Sequence, residues 1–199
     1  MQPTQIDEDL TRLLTVGRGG PRDAADEASL LWGPVERNGW SLALHAYPDP
    51  HVFIVVVSGP PTSSEDLAGT PDLTRLEAVP GSPDPAPMLG ADWVQCAETL
   101  LGQRASDEAP GAGRTLQSLL FSFARKSSIF FTGAGAAGGV AQVLACWAKE
   151  SFPSMWIGTR TFGAPVIGTP DFHEYAELNL DEFLDWQRSL DARPAAAPS

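Results

Sequence analysis

Basic residues, histidine and cysteine are all scarce in this 199-residue chain. Each shortage removes a class of function. There are 13 lysines and arginines against 25 aspartates and glutamates, a net charge of −12. A surface this acidic repels phosphate backbones and anionic headgroups, which argues against nucleic-acid and membrane-surface roles. With only Cys96 and Cys146, both inside helix-like patterns, a disulfide framework is not expected, and the two read as free thiols. The three histidines (His45, His51, His173) do not fall at metal-ligand spacing, and neither C-x-x-C nor H-E-x-x-H occurs, so no metal or other cofactor is expected. No run approaches the roughly 20 apolar residues of a membrane span. MQPTQIDEDLTRLL lacks the basic start and apolar core of a secretion signal, so the expected location is cytoplasmic.

What is present is the patterning of one globular domain, expected over 1–191, with ARPAAAPS (192–199) as a disordered tail. Helical spacing is read over 5–17 and 22–33, the latter ending near Gly33. GWSLALHAY (39–47) alternates as a strand, and HVFIVVVSG (51–59) is a continuous β-branched run suited to a strand buried on both faces. Residues 59–90 are rich in Gly, Pro, Ser and Asp and hold a brief strand near 74–79. Helices are expected over 91–103, 114–126 and 136–150, strands over 127–133 and 155–162, and a mobile loop over 105–113. Helical pieces follow at DFHEYAEL and LDEFLDWQRSL. Alternation of strand and helix gives an α/β fold with a mostly parallel sheet and helices on both faces.

The most informative stretch is IFFTGAGAAGG (129–139), where a strand runs into a glycine-dense turn and then an apolar helix. Gly133, Gly135 and Gly138 satisfy G-x-G-x-x-G, which would let a backbone approach a pyrophosphate at a helix N-terminus. Against a dinucleotide site, the motif follows some 130 residues of chain, the next strand ends without a ribose-gripping acid, and about 40 residues remain after it.

TGAGAAGGVAQVLA (132–145), followed by TFGAPVIGTPDF (161–172), resembles the class 3 (fungal-type) lipase family, an α/β-hydrolase fold. In that family a strand enters T-G-H-S-L-G-G-A-x-A-x-L-x-A and the next strand ends in T-F-G-x-P-x-x-G. Thr132, Gly133, Gly138, Ala141, Leu144 and Ala145 match the first block. Thr161, Phe162, Gly163, Ala164, Pro165 and Gly168 match the second, with Phe172 after it. IVVVSGPPTSSEDLAGTPDL (54–73) is similar to the family's strand, R-G-T turn and acidic segment, with Asp66 and Asp72 at the acidic positions. The resemblance spans roughly 39–178.

The resemblance implies a nucleophile elbow, and this chain departs from it in three places. Gly135 stands at the serine position and Ala134 at the histidine before it. The oxyanion turn is Ser58-Gly59-Pro60, and proline offers neither N–H nor hydroxyl. In hydrolases the loss of one such donor costs roughly 3–4 kcal/mol in the transition state. The Ala136 N–H could still donate from the helix side. Third, the family's Asp and His lie well beyond the T-F-G strand, whereas here Asp181, Asp185 and Asp191 fall in a helix-like pattern and no histidine follows His173.

The expectation is a shortened, truncated α/β-hydrolase-like domain with no catalytic residues. Gly133, Ala134, Gly135 and Ala136 form its vestigial elbow and pocket, and Ser58, Gly59 and Pro60 its vestigial oxyanion turn. Such a protein would bind a partner protein or a small apolar ligand in the former acyl pocket. The alternative is an enzyme reusing that pocket for cyclisation, isomerisation or dehydration, with His45 or Asp72 as the titratable group facing it. A dinucleotide binder is the third reading. The shortened sheet would expose its last edge, to be covered by helix 179–190 or by a homo-oligomer.

Overall fold

The computed structural model describes residues 10, 29–47, 49, 51–59, 76–78, 87–123 and 127–186. Eight strands are present among them: β1 (Leu30–Arg37), β2 (Trp40–Ala46), β3 (Val52–Ser58), β4 (Leu76–Ala78), β5 (Met88–Gly90), β6 (Ser128–Ala134), β7 (Trp156–Phe162) and β8 (Glu182–Trp186). The helices are α1 (Ala91–Leu101), α2 (Leu116–Leu120), α3 (Ala136–Ser151) and α4 (Pro170–Asn179). Six strands form one sheet in the order β1-β2-β3-β6-β7-β8, and β4 pairs with β5 apart from it. β3, β6, β7 and β8 are parallel, while β1 and β2 join them as an antiparallel meander.

The apolar runs explain the layering. β3 and β6 lie in the middle of the sheet and bury residues on both faces, which is why VFIVVVS and SIFFTGA carry so few polar groups. Val55, Val57, Ile129 and Phe131 face the main core with α1, α2 and α3. Ile54 and Val56 face the other side, where Leu10, itself helical, is fully buried against them. α3 is buried on nearly every side because the sheet lies beneath it and α1 packs over it.

Four sequence expectations are corrected here. The helix expected over 22–33 gives way at its end to β1, which begins at Leu30; residues 22–28 lie outside the described residues. The deciding signal is Asn38-Gly39, with φ of +52° and +80°, the two-residue turn that returns β1 onto β2. The helix expected over 114–126 is the single turn α2. A reciprocal Thr115–Ser118 cap starts it, and the chain turns away at Phe121.

The helix expected over 179–190 is the strand β8, hydrogen-bonded along β7. The edge of β7 is therefore covered by another strand. Asp181 holds its start. Its N–H donates to the Ile157 carbonyl at 2.9 Å, and its Oδ2 accepts from the Ile157 N–H at 2.8 Å and from Lys149 Nζ at 2.6 Å. Arg160 clasps Glu182 with an Nε–Oε1 distance of 2.5 Å, and its guanidinium lies 5.2 Å from the Phe130 ring centre.

The segment 105–113 is a loop, as expected, but a tied-down one. Ala105 donates to the Arg114 carbonyl, Gly113 to Ala105, and Gly33 to Pro110. The fully buried Trp32 indole N–H donates to the Arg114 carbonyl at 2.8 Å. The expected 5–17 helix, apart from Leu10, and the 192–199 tail lie outside the described residues.

Gly111 has φ +74°, and a Cβ there would sit 2.6 Å from Trp32 Cδ1, whereas Gly113, at φ +70°, faces open space. Gly113→Ala should therefore lose only the left-handed backbone cost of about 1–2 kcal/mol. Gly111→Ala should lose clearly more, with its midpoint of thermal unfolding several degrees lower still. Circular dichroism melts of the two variants measure the difference.

Candidate functional site

The parallel strands end together at one rim of the sheet, where open α/β sheets place their ligands. β6 leaves the sheet at Ala134, the chain turns at Gly135, and α3 begins at Ala136. Gly135 has φ +58° and ψ −131°, a conformation almost reserved for glycine. Its N–H donates to the Phe162 carbonyl at 2.9 Å, and its own carbonyl accepts from Gly138 at 2.9 Å. Ala134, Gly135 and Ala136 are half-buried, so the turn reaches the surface, whereas Gly133 is buried.

The turn is this tight because its neighbours lack side chains. A Cβ on Gly133 would lie 2.4 Å from the Ala137 carbonyl oxygen. One on Gly138 would lie 3.0 Å from Ala164 Cβ, and one on Gly139 2.7 Å from the Ile167 methyl. The glycines thus let α3 fold back on β6 and let the 163–168 segment close over its first turn. Gly133 and Gly138, two of the three glycines of the G-x-G-x-x-G pattern, stand at these close approaches.

On the other side of the rim, Ser58 ends β3 and is buried, and Gly59 lies against the Trp40 ring; a Cβ there would be 3.0 Å from it. Pro60, Asp66 and Asp72 lie outside the described residues. His45 pairs with Ile54 in the ladder, four residues before Ser58 along β3, and its Nδ1 lies 3.0 Å from the Ser29 hydroxyl. It therefore sits well down the strand from the rim and does not join Gly135 there. His173 lies on α4 with its ring edge against Phe172 and Phe183.

Asp185 is the rim residue that sequence reasoning missed. It lies in register with Thr161, which is itself in register with Gly133. Its Oδ1 accepts from the Thr161 hydroxyl at 2.8 Å and from the Ala164 N–H at 3.1 Å. Gln142 of α3 donates to the same Thr161 oxygen at 3.3 Å, while Gln142 Oε1 has no partner among the described residues. One carboxylate thus ties β8, β7 and the 163–168 segment together beside the elbow. The helical spacing of LDEFLDW hid it, and no alternation of apolar and polar residues marks the strand in the sequence.

Both thiols are free, and burial pushes each up to about 12, with the Glu150 carboxylate adding to the effect at Cys146. Protonated at neutral pH, they are poor nucleophiles. Among the described residues no group of three or more His, Cys, Asp or Glu could hold a metal, and no helix is long and apolar enough to cross a membrane.

This architecture is that of the lipase α/β-hydrolase fold. The chain is similar to the crystal structure of M37 lipase (TM-score 0.69, 18% identity, covering 78% of this chain and 53% of that one). It is similar also to lipase II from Rhizopus niveus (0.65, 13%, covering 92% and 72%) and to a lipase from Rhizopus microsporus var. chinensis (0.63, 14%, covering 93% and 67%). The chain spans about half the length of the first and about two thirds to three quarters of the others. No protein-family model matches the chain, and no curated protein matches it.

Gly133→Ala should be among the most damaging single changes, costing about 3 kcal/mol or more, because backbone rather than a movable side chain occupies the space. Asp185→Ala removes the acceptor of the Ala164 N–H and the shorter of two acceptors of the Thr161 hydroxyl. It should cost about 1–3 kcal/mol. Urea unfolding midpoints of both variants check the order.

Proposed function

We propose that the chain is a non-catalytic lipase-fold protein that holds a small apolar ligand or a partner protein in the former acyl pocket. The observation that carries this reading is the elbow. The backbone keeps the sharp strand-to-helix turn that presents a nucleophile in α/β-hydrolases. The residue at its apex is Gly135, which has no side chain to present. Glycine holds the turn without the roughly 1–3 kcal/mol that an L-residue would store there.

Supporting features lie around it. Two serine hydroxyls near these strands, Ser58 at the rim end of β3 and Ser127 just before β6 at the opposite end, are both buried, at 7% and 3% exposure. His45 stands four residues down the ladder from Ser58 and is bonded to Ser29, so it is not placed to activate either from the rim. Val166 projects from the 163–168 segment with 57% of its surface exposed, an apolar contact beside the elbow for a ligand or partner.

Wild-type protein and Gly135→Ser, assayed side by side on nitrophenyl esters of short and long acyl chains, should both show no turnover above buffer. The serine variant should also be less stable by about 1–3 kcal/mol. A fluorescent fatty acid should bind the wild type saturably. Esterase turnover by the wild type would overturn the non-catalytic reading.

A further inference from the structure

Arg37 and Asp92 carry opposite charges and line the same cavity, yet they do not pair. Arg37 ends β1 at the Asn38-Gly39 turn, and Asp92 lies in the first turn of α1. Neither side chain makes an ion pair or hydrogen bond to a described residue, although Lys149 and Arg160 both find carboxylates. In a chain with 25 acidic and 13 basic residues, an arginine without a partner is notable.

The cavity between them has a volume of about 320 Å³, within the range of small-molecule sites. One wall is the hairpin, with Arg37 and Trp40. The other is a single face of α1, where Asp92, Gln95, Cys96 and Thr99 recur at helical spacing. Leu100, 1% exposed, also lines it. The Trp40 ring that bounds it is the one packed on Gly59, so the cavity adjoins the Ser58-Gly59 turn without including the elbow. An anion alone would meet Arg37 but also face Asp92. A cation would meet the reverse. A dipolar molecule satisfies both walls at once, and an apolar body would rest on the Trp40 ring.

We propose that this cavity binds a small zwitterion with an apolar body, of the α-amino-acid class, its carboxylate on the Arg37 guanidinium and its ammonium on the Asp92 carboxylate. The inference is independent of what the elbow does. The test is calorimetric titration of the whole chain with L-phenylalanine, L-phenylalanine methyl ester and N-acetyl-L-phenylalanine, repeated on Arg37→Gln and Asp92→Asn. Both substitutions replace exposed charges by near-isosteres, and unchanged melting curves establish that the variants fold.

Free phenylalanine should bind saturably to the wild type, and the ester and the N-acetyl compound about tenfold or more weakly. Arg37→Gln should lose the preference for phenylalanine over the ester. Asp92→Asn should lose the preference over the N-acetyl compound. Absence of saturable binding by phenylalanine at millimolar concentration overturns the proposal, as does equal affinity for all three compounds or unchanged selectivity in both variants.

Discussion

The layout of the molecule depends on how closely the start of α3 approaches the end of β6. Where β6 becomes α3, the Ala137 carbonyl occupies the place a Cβ would take on Gly133. That approach is open only to glycine, and it sets the angle at which α3 returns over the sheet. α3 in turn contacts β3, β6, β7, α1 and α4 and is buried on nearly every side. Gly138 and Gly139 continue the same constraint outward, so that the segment after β7 packs on the first turn of α3. Protein interiors close-pack with little tolerance for an added methyl, and three of the four glycines in 133–139 stand where a Cβ would crowd a neighbour.

The far edge of the sheet is held differently. β8 has a mixed sequence and is attached through charge and polar contacts: Asp181 to Lys149 and Ile157, Glu182 to Arg160, and Asp185 to Thr161 and Ala164. Each of these carboxylates accepts from a donor on β7, on the loop after it or on α3, and the pairs are partly shielded from water. Partial burial strengthens such contacts relative to fully exposed pairs. The acidic character of the chain, which at first suggests only a solvated surface, is partly spent in docking this strand.

A lipase-like frame with glycine at its elbow separates scaffold from chemistry. The parallel strands, the turn and the helix N-terminus are features of the fold, whereas activity depends on which side chains stand at the rim. Here the rim carries Gly135, a buried Ser58 and an Asp185 engaged with Thr161 and Ala164. The cavity beside the hairpin, where Arg37 and Asp92 have no partner among the described residues, is a separate element of the same sheet end.

The elbow and its flanking strands were legible in the sequence because their information is local. A β-branched run needs two buried faces, and glycines at 133, 135 and 138 mark a turn whatever lies around them. Asn38-Gly39 carried a hairpin signal of the same local kind, which the helical reading of 22–33 passed over. What local pattern could not decide was the fate of residues 182–186, which fit a helix by spacing. They became a strand because β7 offered an unpaired edge and Lys149, Arg160 and Thr161 offered partners. Those partners lie 22 to 32 residues away in the chain. The sequence by itself determined that the residue at the turn, Gly135, carries no side chain. Only the tertiary structure decided that Asp185 reaches the rim and that Arg37 and Asp92 line one cavity, because both depend on segments that meet only after the sheet has closed.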